Sequence, residues 1–184
     1  MPNSVSPLGG RSSSGFATVA EAGPCGMITV RGNLSSPAMA AAVRAAAGCE
    51  VPAQRRILLS GGKGAAWMSP DELLLLVPYA ETPAAVAALS AALAAEHALV
   101  VDVSDARAVF TVTGAKADQV IRKLSPADID GMAEDEIRRT RVAQVAGAFW
   151  RSAPDQITLV TFRSVAGYVM GVLSTAAREG TELA

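Results

Sequence analysis

The chain repeats itself, and a repeat decides how every other feature is read. One half opens with Met27-Ile28-Thr29-Val30-Arg31-Gly32 and the other with Val109-Phe110-Thr111-Val112-Thr113-Gly114, each a β-rich run ended by glycine. A helix follows each. Ser35 or Ser36 can cap the segment Pro37 to Ala47, proline suits its first turn and Gly48 stops it. In the other half, Ala117, Val120, Ile121 and Leu124 have helical spacing within a segment running from Ala115 to about Leu124. A loop and two strands joined by a tight turn come next. Trp67-Met68-Ser69-Pro70-Asp71-Glu72 leads into Leu73 to Val77, and Trp150-Arg151-Ser152-Ala153-Pro154-Asp155-Gln156 leads into Ile157 to Val160. Proline fixes φ and aspartate bonds the backbone beyond it, which is turn chemistry. Each half closes with a second helix, from about Thr82 to His97 and from about Ser164 to Arg178.

The common order is βαββα, which predicts an α+β fold of split-βαβ type, with helices covering mixed or antiparallel sheets. The expected division is a flexible leader over residues 1–26, a first half-repeat over 27–98 and a second over 99–184. Leu99 to Asp102 supplies one further strand ahead of the second half, and Ser104-Asp105 marks the turn into Arg107 to Thr113.

The second helices lack charge between Glu81 and Glu96 and between Arg163 and Arg178. Val86, Leu89 and Leu93 give one of them a stripe for the chain's own core, and its other positions are mostly alanine. Either alanine merely fills exposed helix surface or a second protein covers it. We carry the second reading forward, because a helix apolar all round is normally buried. Charged residues make up 18% of the chain against a globular average of about 25%.

No set of residues converges on chemistry. The lone histidine, His97, is expected at a helix end, and a triad with Asp102 and Ser104 would have to form within one short turn. Gly61-Gly62-Lys63-Gly64 fits neither phosphate-loop spacing and reads as a strand connector. The stretch Asp128-Ile129-Asp130-Gly131 to Glu134-Asp135-Glu136 is out of register for a calcium loop, and Asp71 and Asp155 are equivalent turn residues. Cys25 and Cys49 have no metal-ligand spacing and read as reduced thiols. We therefore assign no catalytic, cofactor-binding or metal residue to this chain. A net charge of −1 with 4% aromatics supplies neither the phosphate electrostatics nor the stacking of nucleic-acid binders. No apolar stretch reaches membrane-spanning length, and a soluble cytoplasmic protein is expected.

Gly64-Ala65-Ala66-Trp67-Met68-Ser69-Pro70-Asp71-Glu72, then Val101-Asp102-Val103-Ser104-Asp105-Ala106-Arg107 and Thr113-Gly114, resemble the gamma subunit of heterotetrameric sarcosine oxidase. Arg139-Thr140-Arg141-Val142-Ala143 and Phe162-Arg163-Ser164 continue the resemblance, which runs from about Ile28 to Ala177. It implies the fold of the folate-binding aminomethyltransferases and a non-catalytic subunit of an oxidase that demethylates sarcosine to glycine. The one-carbon unit would pass to tetrahydrofolate or leave as formaldehyde, with hydrogen peroxide formed. It further implies alpha, beta and delta partner subunits with the main contact to alpha, and FAD, FMN, NAD, tetrahydrofolate and zinc held in those partners. A related complex such as N-methylglutamate dehydrogenase, or a free-standing folate-binding protein, are the alternatives. Trp67, Pro70, Asp71, Ser104, Asp105 and Arg107 carry the match, and each is expected to be structural.

Overall fold

A computed structural model describes residues 5–183; residues 1–4 of the expected leader, and residue 184, lie outside the described residues. In chain order the elements are β1 (Ser12–Ser13), β2 (Thr18–Glu21), β3 (Gly26–Arg31), α1 (Pro37–Ala47), β4 (Ile57–Ser60), β5 (Lys63–Ser69) and β6 (Glu72–Val77). There follow α2 (Thr82–Ala92), β7 (Leu99–Asp102), β8 (Arg107–Thr113), α3 (Ala117–Leu124), β9 (Ile137–Val142), β10 (Val145–Ala153), β11 (Gln156–Phe162) and α4 (Ala166–Ala176). They form two units. One is continuous, Cys25–Asp105, and the other joins the chain before it to the chain from Ala106 onward.

In the continuous unit an antiparallel sheet of order β4-β5-β6-β3-β7 carries α1 and α2. Ile28, Val30, Leu73 and Leu75 share the face under the helices and pack with Met39, Val43 and Leu89. Complete burial of each such side chain contributes about 1.5–3 kcal/mol. Leu74 and Leu76, on the other face of β6, are buried as well, which is why Leu73-Leu74-Leu75-Leu76 is a continuous apolar run and does not alternate. α1 has the expected bounds. The Ser36 hydroxyl accepts the Met39 N–H at 3.0 Å, and Gly48 ends the helix in the left-handed region at φ 69°. Gly61 and Gly62, both at positive φ, make the two-residue turn from β4 to β5.

In the second unit the sheet order is β1-β2-β8-β11-β10-β9, again antiparallel. Phe110, Phe149 and Leu159 pack with Val120 and Ile121 of α3 and Met170 and Leu173 of α4. The α+β class and the split-βαβ order therefore hold, with additional strands, β4 in one unit and β1, β2 and β9 in the other, that the βαββα reading does not contain.

The expected boundaries move, and strand pairing gives the reason. Gly32 N–H bonds the Asp71 carbonyl at 3.0 Å, and Gly114 N–H bonds the Asp155 carbonyl at 2.8 Å, so β3 and β8 occupy equivalent places. Beside β3 runs β7, with Arg31 opposite Leu99 and Ile28 opposite Asp102. Beside β8 runs β2, with Thr113 opposite Thr18 and Phe110 opposite Glu21. Each repeat thus gives its leading strand to the sheet of the other. Leu99 to Asp102 belongs with the first sheet, so the division falls between residues 105 and 106 and not between 98 and 99. Much of the segment expected as a flexible leader is a built part of the second unit. Val19 is fully buried, Phe16 N–H bonds the Ala177 carbonyl at 2.9 Å, and the buried Glu21 carboxylate accepts from Ser6 Oγ, Leu8 N–H and Gly10 N–H at 2.9, 3.0 and 2.7 Å.

Both Pro-Asp turns carry a bulge just before the proline, but the two tryptophans are not equivalent. Trp67 lies opposite Leu73, and the corresponding position opposite Ile157 is Arg151; Trp150 lies one residue earlier, opposite Thr158, and is buried.

Candidate docking surface

The residues that carry the family resemblance sit at turns that close each fold. Asp102 accepts both the backbone N–H of Ser104, at 2.9 Å, and its hydroxyl, at 2.6 Å. That leaves Ser104 Oγ to accept the buried Met27 N–H at 2.9 Å, so the motif ties the end of β7 to the start of β3. Asp105 accepts the Tyr79 hydroxyl at 2.9 Å. Arg107 lies over the Phe162 ring, 4.4 Å from its centroid. Asp71 accepts Ser69 Oγ at 2.6 Å and Arg31 at 2.8 Å, which together hold its carboxyl below the usual carboxylate range. Trp67 and Pro70 belong to the bulged hairpin that presents Asp71.

The candidates for chemistry are placed as follows. α2 ends at Ala92, so His97 stands beyond the helix on an exposed turn and not at the helix end that the sequence suggests. The Ser104 hydroxyl proton is committed to Asp102. Cys25 and Cys49 are free, and burial pushes both thiols up. Gly61 to Gly64 spans a hairpin turn with no helix after it, so it aims no row of N–H groups at a phosphate. Asp128 Oδ1 accepts the N–H groups of Asp130 and Gly131, each at 3.2 Å, while Asp130 pairs with Arg122. Among the described residues no group of three or more His, Cys, Asp and Glu side chains is arranged to hold a metal. One ionic device has no counterpart in the sequence reading. Arg151 is bidentate to Asp118 at 2.7 and 2.8 Å and also donates to the Ile129 carbonyl at 3.0 Å, tying β10 to α3 and its following loop. Asp118 and Arg151 lie too far apart in sequence for pattern reading to pair them.

What the fold presents instead is uncharged helix surface. On α2, Thr82, Leu89 and the following Leu93 face inward, while Ala84, Ala87, Ala88, Ala91 and Ala92 are exposed. Between α1 and α2 runs a groove of about 220 Å³ lined by Ala42, Ala45, Ala46, Ala85 and Leu89, with the Lys63–Glu81 ion pair, at 2.6 Å, at its border. On α4 the exposed face carries Gly167, Tyr168 and Gly171. A Cβ added at Gly167 or Gly171 would meet nothing within 4 Å. Glycine inside a helix costs about 0.5–1 kcal/mol relative to alanine, and the chain's own packing requires neither of these two. The signal lies in the sequence itself, as Gly167-x-x-x-Gly171, but without the helix's exposed face it has no meaning. Among the described residues no helix is long and apolar enough to cross a membrane.

Comparison with known proteins gives a consistent picture. The model of the sarcosine oxidase, gamma subunit family matches residues 31–179. The sarcosine oxidase subunit gamma of an Arthrobacter species is 34% identical over 116 residues, covering 61% of this chain and 56% of that protein. Its counterpart from Corynebacterium strain U-96 is 35% identical over 117 residues with the same coverage. The match thus spans about half the length of these curated relatives. Among solved structures, the heterotetrameric sarcosine oxidase from Corynebacterium sp. U-96 in complex with pyrrole 2-carboxylate contains a chain similar to this one, with a TM-score of 0.80 and 27% identity over 90% of this chain and 87% of that one. The glycine cleavage system aminomethyltransferase T from Bartonella henselae is similar in fold alone, at TM-score 0.66 and 12% identity over 91% of this chain and 48% of that one.

Proposed function

The chain belongs to the sarcosine oxidase gamma subunit family, and on that premise we propose that it is a non-catalytic subunit of a heterotetrameric flavin-dependent oxidase that demethylates sarcosine to glycine. Alpha, beta and delta subunits complete the assembly and hold FAD, FMN, NAD, tetrahydrofolate and zinc. The one-carbon unit leaves as formaldehyde or on tetrahydrofolate, with hydrogen peroxide as co-product, and the complex works in the cytoplasm. The reading rests chiefly on α2 and α4, whose outer faces are uncharged and, Tyr168 apart, small, and suit close packing against the larger alpha subunit. It is supported by the engagement of the family-matching side chains Asp71, Ser104, Asp105 and Arg107 in turns and cross-strand contacts of their own units, which commits them to structure.

Native mass spectrometry of the chain co-expressed with its neighbouring genes tests this. We expect a yellow complex holding the chain in one-to-one ratio with a large flavoprotein. A colourless monomer that ignores those neighbours refutes the subunit reading, and stoichiometric tetrahydrofolate binding by the isolated chain refutes the non-catalytic one.

A further inference from the structure

The exchange of leading strands makes β7 and β2 equivalent, and their outer edges are treated differently. β2 is followed outward by β1, with Ser12 opposite Ala20, Ser13 opposite Val19, and Glu21 N–H bonding the Arg11 carbonyl at 2.9 Å. β7 ends its sheet with nothing beyond it among the described residues. The register shows which backbone groups are open. Val103 N–H bonds the Met27 carbonyl at 2.9 Å, as Ala22 N–H bonds the Val109 carbonyl at 2.9 Å. Residues alternate along a strand, so Val101 and Leu99 also direct their backbone groups at β3, and Val100 and Asp102 direct theirs outward, as Val19 and Glu21 do toward β1.

Natural sheets protect such edges with charge, proline or cover. The edge strand β9 does so with Arg138, Arg139 and Arg141. β7 has one charge, Asp102, whose carboxylate is engaged by the Ser104 N–H and hydroxyl; its Leu99-Val100-Val101 run is uncharged, with Leu99 51% and Val101 39% exposed, where β2 places Thr18 and Ala20. Of the other edges that lack charge, β1 is two residues long and is itself the cover of β2, while β4 has β9 as its counterpart; neither β4 nor β9 has a strand outside it, so the repeat provides no template for covering β4. At β7 the template exists within the same chain.

We infer that the open edge of β7 is a strand-addition site, completed by an extended segment of the large partner subunit that runs antiparallel to β7 in the place β1 takes beside β2. This rests on the subunit reading and names the contact it requires. The segment would exchange backbone hydrogen bonds with Val100 and Asp102 and set apolar side chains against Leu99 and Val101. A partner is favoured over a second copy because the family's assembly is heterotetrameric.

Hydrogen exchange of the assembled complex against the free chain tests the inference, read at the Val100 and Asp102 amides and, for comparison, at the α2 and α4 amides. Roughly tenfold or greater slowing at Val100 and Asp102 in the complex is the expected result. Slowing confined to α2 or α4 overturns the β7 site and leaves the subunit reading standing; failure to form any complex overturns the subunit reading itself. Protection already present in the free chain, with a doubled native mass, assigns the edge to a second copy and also overturns the inference. Val100→Pro removes an outward N–H without touching the bonds to β3, so it should weaken assembly at least about tenfold while the free chain keeps its circular dichroism; unchanged assembly counts against the site.

Discussion

Substituting Gly171 by alanine separates the stability of this chain from its docking, because the two effects have opposite signs. Gly171 lies in the interior of α4, at ordinary helical φ, and the added Cβ finds open space. In the free chain the change removes the glycine penalty, about 0.8–1 kcal/mol, and for a protein of this size that raises the melting temperature by about 2–4 °C. If a partner backbone or side chain packs against the exposed glycine face, the same methyl group intrudes on a close contact. Overpacking costs about 1–3 kcal/mol, a loss of roughly five- to 150-fold in affinity. Thermal unfolding of the dilute free chain gives the first number, and competition of wild-type and variant chains for a limiting amount of the large subunit gives the second. A variant that is more stable and assembles as well as the wild type refutes docking through this face of α4. A variant that is less stable refutes the placement of Gly171 in open space.

Ala88→Glu or Ala92→Glu puts a charge on the exposed face of α2 and should abolish co-purification with the large subunit while leaving the circular dichroism of the free chain unchanged; normal assembly of both variants means that face meets only water. Ser104→Ala strips the buried Met27 N–H of its acceptor and should cost about 1–3 kcal/mol, read as a lower urea midpoint at constant slope. The Ser69 hydroxyl and the Arg31 guanidinium hold the Asp71 carboxyl below its usual range, so it contributes stability that is full above the usual carboxylate range and lost as the pH falls through its depressed folded value. Its titration by NMR should move up in Ser69→Ala and in Arg31→Ala; a titration unmoved in both variants refutes the assigned causes.

The helices and the hairpins were legible because they rest on local chemistry. Ser36, Pro37 and Gly48 fix α1 from residues within a few positions of it, and Pro70-Asp71 and Pro154-Asp155 mark their turns wherever the strands then go. The partner of a strand is a different kind of fact. Leu99 to Asp102 reads as a strand in isolation, but nothing in those four residues says that β3 and not β8 lies beside it, since the same short apolar run would serve either edge equally. β2 was missed for a related reason. Ala17 and Val19 are the buried apolar side chains of that segment, a period-2 signal too short to stand out from a Ser- and Gly-rich stretch. The uncharged helix faces were visible as missing charge, whereas the exposed glycines of α4 and the open edge of β7 became meaningful only when the structure showed that the chain itself does not use them.

The strand exchange also couples the closure of one sheet to that of the other. β2 pairs with β8 across a separation of roughly 90 residues, a closure whose entropic cost grows as the logarithm of loop length. The unit Cys25–Asp105 contains every strand of its own sheet, and its own longest closure, β3 with β7, spans roughly 70 residues. Once it forms, Val103 N–H bonds the Met27 carbonyl and its two ends are held side by side. The effective loop between β2 and β8 then shrinks to a few residues, lowering the closure cost by about 2 kcal/mol. The Asp102–Ser104 turn therefore acts twice, capping one sheet and shortening the search for the strand that completes the other.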